Sequence, residues 1–540
     1  MAPVPRVLIA DDLSPRASEI LTQAGFEVIV RVGLKKDELL AVIGEFDGLA
    51  VRSATQVTAE VLEAGRRLQI VGRAGIGVDN IDVKAASRRG VIVMNTPGGN
   101  AVTTAEHALA LMMSLARKIP AATASVKAGK WEKKRFQGTE LAGKSIGVLG
   151  LGNIGRIVAD RALGLRMHVL AFDPFLTEEA AKKLGVEPVT LAELLSRADV
   201  ITVHTPLIPE TRGLLGADAF SRMKKGVLLI NAARGGIVDE TALVAALRSG
   251  QVAGAALDVF ETEPVDPAHP LLALDNVVCT PHLGASTEEA QEKVAIEVAE
   301  QLVDYFVRGE IKSAVNVPSV SREARERLGP WLDLVGRLAR FQGQQLELER
   351  GLTEISLELA GDFAGVDSRP LLATAVSGVL SRHLDVAVNS VNAPVLAEER
   401  GIRVTETRVG RGETYTQSIG ICVRGKDGVA RTVRGALFTF AGKAEPRLVE
   451  VGDFLVEVLP EGRLLIVRNQ DRPGVIGALG TLLGSRGINV ARMQVGLAAG
   501  ARSSGADALQ IWNVDGELDA SLLAEIRRLP HVKSAQRVEL

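Results

Sequence analysis

The segment that narrows the fold furthest is Lys144–Gly155, KSIGVLGLGNIG, an apolar run closed by Gly150-x-Gly152-x-x-Gly155. Helical spacing over Arg156–Leu165 follows at once. A buried strand turning sharply into a helix opens a βαβ unit, and the three glycines have separate duties. Gly150 permits the tight turn, Gly152 the close approach of a diphosphate, and Gly155 the packing of helix on strand. The backbone N–H groups at the helix start, with the positive end of its dipole, favour an anion there. Asp173 follows the next apolar run, His168–Phe172, and stands 23 residues after Gly150. That is close to the ~20-residue spacing at which an acidic group meets the ribose hydroxyls of a dinucleotide. A carboxylate there repels a 2′-phosphate, so the expected cofactor is NAD rather than NADP.

The same alternation runs through the first 317 residues. Val7–Ala10, Phe26–Val30, Gly48–Val51, Ile70–Val71 and Val91–Met94 read as buried parallel strands, with helical spacing over Ser14–Ala24, Thr58–Ala64 and Asn80–Arg89. Asp79 or Asn80 is the expected cap of the last of these helices. A long apolar helix is expected over about Thr103–Gly129, kinked or broken at Pro120. Further strands are expected at Ser145–Leu149, His168–Phe172, Val200–His204, Val227–Asn231, Ala253–Val259 and Val277–Thr280, with a closing helix over Thr287–Val307. Two doubly wound parallel α/β sheets with a ligand cleft between them are therefore predicted.

The pattern changes after Val317. Pro330–Glu349 is amphipathic, and strands are expected at Ile355–Leu359, Gly401–Thr407, Ser418–Val423 and Leu437–Phe440, giving a mixed α/β domain without a catalytic signature. From Arg463 the order is βαββαβ, a ferredoxin-like arrangement, with Ala498–Gly505 as a hairpin loop.

Charge and cysteine content remove several classes of function. Lys+Arg 63 against Asp+Glu 65 leaves a net charge of −2, which argues against nucleic acid as the main partner. Two cysteines, Cys279 and Cys422, provide neither a disulfide framework nor a four-cysteine metal site, so no metal is expected. No run approaches the ~18 apolar residues of a membrane span, and Asp11 interrupts the start too early for a secretory signal. A cytoplasmic chain is expected.

Oxidising an alcohol with a nicotinamide requires a base, a cation to hold the substrate and a group to tune the base. Open α/β sheets place such groups at the carboxyl ends of their strands. Arg234, in Asn-Ala-Ala-Arg-Gly-Gly, can grip a carboxylate with a bidentate fork. His282, in Thr-Pro-His-Leu-Gly-Ala, suits acid/base work near neutrality. Glu261 and Glu263 share one loop, and spacing alone does not choose between them. His204 also ends a strand and competes for the base, with lining of the nicotinamide side as its better role. His107 and His168 read as structural.

Gly150–Gly155, Asn231–Gly236, Asp258–Pro264 and Pro281–Ser286 together resemble the signatures of the D-isomer-specific 2-hydroxyacid dehydrogenases. With its two C-terminal domains the whole chain resembles the long form of that family, which carries an intervening regulatory domain and an ACT domain. The resemblance implies Arg234, Glu263 and His282 as the catalytic trio. It implies cofactor contacts at Gly150, Gly152, Asn153, Ile154, Gly155, Asp173, His204, Thr205, Pro206, Ala232, Ala233, Arg234, Asp258, His282, Gly284 and Ala285. Substrate contacts are implied at Arg52, Ser53, Arg73, Gly75 and Asn100, with Lys133 and Arg135 reaching the substrate phosphate from a neighbouring subunit. The implied division is a substrate-binding domain of residues 1–100 plus 286–317, an NAD-binding domain of 101–285, an intervening domain of 318–455 and an ACT-like domain of 463–540. The implied reaction is NAD-dependent oxidation of 3-phospho-D-glycerate to 3-phosphohydroxypyruvate, the first step of L-serine synthesis, by a homotetramer. Asp471 and Asn489 are the implied contacts of an amino-acid effector such as L-serine. A glyoxylate or hydroxypyruvate reductase, or an NAD-binding corepressor-like protein, would share the same core.

Overall fold

Each βαβ crossover puts a helix over its sheet, so strands covered on both faces become wholly apolar and parallel. In the computed structural model this produces two such sheets. The described residues are 4–317, 322–346, 351–384, 386–410, 415–440, 442–498 and 505–540. The first sheet has the strand order Glu27–Val30, Arg6–Ile9, Gly48–Val51, Ile70–Arg73, Ile92–Asn95, all parallel. The second has the order Val277–Cys279, Val252–Leu257, Val227–Asn231, Val200–Val203, Ser145–Leu149, His168–Phe172, Glu187–Pro188, also all parallel. Its winding reverses between Ser145–Leu149 and Val200–Val203, which opens a crevice at the carboxyl ends of those two strands.

Two helices tie the sheets together. Ala101–Ala116 leaves the first sheet and buries Ala105, Leu111 and Met112 with Val148 and Ile230 of the second. Glu288–Arg308 returns and buries Ala295, Ala299 and Leu302 against Ile70 and Met94 of the first. Gly72 makes room for this return, since a Cβ there would lie 2.5 Å from Val298 Cγ2.

Several local expectations are corrected. The long helix is broken, one of its two expected forms, but at Lys118 rather than at Pro120: Ala101–Ala116 and Ile119–Lys127 are separated by Lys118 at φ 53°, and Pro120 sits in the first turn of the second, where it needs no N–H partner. The helix Val83–Arg89 is capped by Asp82, whose carboxylate accepts from the Ala85 N–H, not by Asp79 or Asn80. Both of those residues are engaged at the cleft instead.

The third sheet has six strands rather than four. Its order is Arg403–Val409, Leu352–Ala360, Ser418–Gly425, Ala430–Phe440, Lys443–Val451, Phe454–Val458, and only the first pair is parallel. Lys443–Val451 escapes sequence reading because alternating Glu and Arg side chains occupy its half-exposed face. Helices Arg322–Gln344 and Arg369–Leu380 cover the other face with Leu334, Leu338, Phe341 and Val376. This unit also grips the first: Asn389 Nδ2 donates to the Gly90 carbonyl at 2.9 Å, and Arg88 pairs with Glu399 at 2.7 Å.

The last sheet has the antiparallel order Asn489–Leu497, Asp507–Asp515, Arg463–Gln470, Val532–Glu539. Helices Val475–Ser485 and Ala520–Arg527 pack on one face. Leu464, Ile466, Leu509, Ile511 and Val538 on the other face join the core of the third sheet. Residues 499–504 of the expected hairpin loop lie outside the described residues.

Candidate active site

The glycine turn has the shape its spacing predicts. Gly150 adopts φ 90°, and a Cβ on Gly155 would stand 1.9 Å from the Gly150 carbonyl oxygen, so neither position tolerates a side chain. Gly152, at φ −66°, faces open space with nothing within 4 Å. The void above Gly152 is room for a diphosphate beside the free N–H groups of helix Asn153–Gly164. Asp173 closes the turn: its Oδ2 accepts from the Leu151 N–H at 2.7 Å and its Oδ1 from the Phe175 N–H at 2.8 Å. One acceptor direction on each oxygen remains for ribose hydroxyls. Across the crevice, His204 Nδ1 and Thr205 Oγ1 are buried without a partner among the described residues, as is Asn100 Oδ1 at the start of helix Ala101–Ala116. Buried polar atoms are seldom left unpaired, and orphans here fit a site completed by a polar ligand. The residues present therefore suit NAD.

Around this crevice, Asn153 Nδ2 donates to the Pro97 carbonyl and Ile154 packs into the core. The Pro206 carbonyl accepts from Thr211 Oγ1. Burial pushes His204 down from its ordinary 6.5 to about 4. Its Nε2 is hydrogen-bonded to Thr202 Oγ1 at 2.8 Å, so the ring is neutral at physiological pH and unsuited to compete as the base.

His282 and Glu263 come together from the ends of adjacent strands. His282 Nδ1 is hydrogen-bonded to Glu263 Oε2 at 2.7 Å, and Nε2 has no hydrogen-bond partner among the described residues. His282 itself adopts φ 54°, with its N–H held by the carbonyls of Asp258 and Thr280. Glu263 Oε1 accepts from the Phe260 N–H at 3.0 Å. Partial burial works against the charged Glu263, but the bonds from His282 and Phe260 outweigh it and hold the carboxyl below the usual carboxylate range. Glu261 makes no such pairing; its N–H donates to Glu240.

Behind the histidine lies a buried network that sequence reading missed. Asp258, 1% exposed, accepts at Oδ1 from Thr280 Oγ1 (2.6 Å) and the Leu283 N–H (2.7 Å) and is hydrogen-bonded to His107 Nε2 (3.0 Å). Its Oδ2 accepts from the Gly284 N–H at 2.8 Å and keeps one free direction. Burial disfavours its charge, yet the bonds from His107, Thr280 and Leu283 outweigh that and lower its pKa. Asp258 thus fixes the loop His282–Ala285, and His107 braces Asp258 from an apolar helix. The sequence marked Asp258 only as an implied cofactor contact and His107 only as structural, with nothing to pair the two.

Arg234 extends from its strand end toward the first sheet. Asn231 braces the turn, accepting from the Ala233 N–H and donating to the Arg234 carbonyl, while Ala232 lies buried beside it. Gly235 packs so closely on the Glu263 loop that a Cβ would fall 1.8 Å from the Phe260 carbonyl. On the far side Arg73 Nε donates to the Arg52 carbonyl at 3.1 Å. Burial, and then the neighbouring charge of Arg234, push the Arg73 guanidinium down to about 10. The loop Arg52–Thr55, which carries the exposed Ser53, is shaped by buried Asp11, whose Oδ2 accepts from the Arg52 N–H at 2.6 Å. Asn80 Nδ2 donates to the carbonyls of Arg52 and Thr55. The Gly75 N–H already donates to Thr96 Oγ1 at 2.6 Å and is not free for a ligand.

Two expected groupings are not assembled within one chain. Lys133 and Arg135 are exposed, and Arg135 pairs with Asp275 at 3.2 Å and Glu132 at 3.5 Å. Asp471 follows Gln470, which pairs with Asp507, whereas Asn489 pairs with Asp515 at the other end of the same strand. At ~3.4 Å per residue they stand about 25 Å apart.

A histidine with a carboxylate partner, next to arginines and a dinucleotide turn, defines a nicotinamide-dependent dehydrogenase acting on an anionic alcohol. Comparison with known proteins agrees. The model of the D-isomer specific 2-hydroxyacid dehydrogenase NAD binding domain matches residues 109–284. That of the D-3-phosphoglycerate dehydrogenase intervening domain matches 327–452, and that of the ACT domain 463–531. The D-3-phosphoglycerate dehydrogenase of Synechocystis sp. is 43% identical over 537 residues, covering 99% of this chain and 95% of that protein. Its counterpart in Archaeoglobus fulgidus is 42% identical over 535 residues, covering 99% and 100%. The NAD+-bound 3-phosphoglycerate dehydrogenase of Entamoeba histolytica has a TM-score of 0.51 and 30% identity, over 59% of this chain and all of that one. The chain belongs to the D-3-phosphoglycerate dehydrogenase family of D-isomer-specific 2-hydroxyacid dehydrogenases.

Proposed function

We propose that this chain oxidises 3-phospho-D-glycerate to 3-phosphohydroxypyruvate, with His282 as base, Glu263 as its partner and Arg234 as the carboxylate clamp. The observation that carries this reading is the 2.7 Å bond from Glu263 to His282 Nδ1, which orients Nε2 as the free nitrogen. Gly150–Gly155, Asp173, Thr205 and the His282–Ala285 loop would hold NAD+, which when bound would supply the hydride acceptor. His282 Nε2 takes the proton of the C2 hydroxyl, and Glu263 stabilises the imidazolium that forms. Arg234 grips the carboxylate and polarises the C2 oxygen. Arg52 and Arg73 hold the phosphate, with Lys133 and Arg135 contributed by a neighbouring copy. Ser53 and Asn100 line the same cleft.

The four units are read as 1–100 plus 286–317 for substrate, 101–285 for NAD, 318–455 as intervening and 463–540 as effector-binding. The distance between Asp471 and Asn489 supports an effector pocket, for an amino acid such as L-serine, that is completed only when two copies pair. A homotetramer working in the cytoplasm accommodates both shared sites. Among the described residues no helix is long and apolar enough to cross a membrane.

The test is NADH formation from 3-phosphoglycerate, measured beside glycerate. His282→Ala should lower turnover by ~10²–10⁴. No NADH from 3-phosphoglycerate, or equal use of glycerate, would overturn the substrate assignment, and near-normal turnover in His282→Ala would overturn the base.

A further inference from the structure

The two sheets are joined across the cleft by an ion pair that the reaction scheme leaves unused. Asp79 lies in the loop after Ile70–Arg73 of the first sheet, and Arg234 follows Val227–Asn231 of the second. Arg234 Nε donates to Asp79 Oδ2 at 3.0 Å, a contact between residues 155 positions apart. Arg234 Nη1 donates to the Ala233 carbonyl at 2.7 Å. Nη2 lies against Gly77, where an added Cβ would stand 1.8 Å from Nη2 and 2.7 Å from Asp79 Oδ2.

A guanidinium has five N–H donors in a fixed plane. With Nε fixed by Asp79 and one Nη1 hydrogen fixed by Ala233, the outer edge formed by Nη1 and Nη2 still has a hydrogen on each nitrogen. That edge is the bidentate face a carboxylate needs. Two anchors on different atoms also stop rotation about the last side-chain bonds, which a single anchor would not do. Asp79 is the anchor from the opposite sheet, and Gly77 is the gap through which the plane passes.

We propose that Asp79 is a positioning residue for substrate binding, holding the Arg234 guanidinium so that its outer edge faces the carboxylate of the 2-hydroxy acid. This rests on the assignment of Arg234 to the substrate carboxylate and adds the residue that aims it. Asp79 also offsets the positive charge that Arg52, Arg73 and Arg234 concentrate at one end of the cleft, so its removal does not act by weakening the attraction for an anion. A plain electrostatic role would make Asp79→Asn bind the anionic substrate more tightly. An aiming role makes it bind less tightly.

The experiment is steady-state kinetics of the full chain with Asp79→Asn, Asp79→Glu, Arg234→Ala and the Asp79→Asn/Arg234→Ala double variant, with NADH affinity measured by fluorescence. Asp79→Asn should raise KM for 3-phosphoglycerate about tenfold, leave NADH affinity unchanged, and change kcat by less than about threefold, since one hydrogen bond to a charged group is lost. Asp79→Glu should recover part of the KM, and Asp79→Asn should add nothing in the Arg234→Ala background. An unchanged or lower KM overturns the inference, and so does an equal loss with and without Arg234 or a parallel loss of NADH affinity. A wild-type chain inactive on 3-phosphoglycerate would instead refute the function on which it rests.

Discussion

Gly152 and Gly155 are separated by two residues, yet the structure assigns them opposite kinds of intolerance, and exchanging each for alanine separates the two. At Gly155 the new methyl would lie 1.9 Å from the Gly150 carbonyl oxygen, so helix Asn153–Gly164 must move off its strand. Overpacking of this kind costs about 1–3 kcal/mol. For a domain of this size each kcal/mol lowers Tm by ~2–4 °C, so Gly155→Ala should melt roughly 2–12 °C below the parent even without cofactor. At Gly152 the methyl meets nothing within 4 Å, and φ −66° suits any residue, so the ligand-free chain should melt like the parent. The methyl instead occupies the space above the turn. A displaced diphosphate loses charge-assisted hydrogen bonds worth about 1.5–3 kcal/mol, which weakens NADH binding ~10–100-fold. The assay is thermal melting with and without saturating NADH, beside a fluorescence titration. Gly152→Ala should lose only the NADH-dependent increment in Tm, whereas Gly155→Ala should lose baseline stability. If Gly152→Ala binds NADH like the parent, or if it melts early while Gly155→Ala does not, the reading of the turn is wrong.

Two further outcomes follow from the catalytic side. Glu263→Gln can still accept from the Phe260 N–H but no longer carries the charge beside His282, so kcat should fall ~10–100-fold with NADH affinity intact; unchanged kcat would remove Glu263 from proton transfer. His204 is neutral when folded, titrating at about 4 rather than its ordinary 6.5, so between those values the unfolded chain binds the extra proton. Stability should therefore fall as pH drops through that window, and the fall measured by denaturant unfolding should be shallower in His204→Gln; identical slopes would exclude His204 as the source.

Sequence pattern resolved most of the backbone frame. Ser145–Leu149, His168–Phe172 and Val227–Asn231 form at the expected residues, because each is an apolar run cut off sharply by turn formers. The edge strand Glu187–Pro188 and the open-faced Lys443–Val451 lack that contrast, and the break at Lys118 depends on one residue's φ. In the cleft, Arg234, Glu263 and His282 drew attention because strand ends in a parallel sheet share one edge. Asp11, Asp79, Asn80 and His107 did not, because each acts through a neighbour brought near only by folding. Asp11 reaches across 41 positions to Arg52, and His107 across 151 to Asp258. Period and spacing report a residue's own element; they carry no record of which distant loop it will steady.

The merged core beneath the third and fourth sheets has a practical side. Cutting the chain before Arg463 would take Leu464, Ile466, Leu509, Ile511 and Val538 out of the core they share with the third sheet and its helices. At ~1.5–3 kcal/mol per uncovered side chain, the shortened protein forfeits on the order of 10 kcal/mol of apolar contact. Whatever activity such a fragment displays reports a wounded scaffold, so questions about control by the last unit are better put to intact chains bearing single changes on its outer helices.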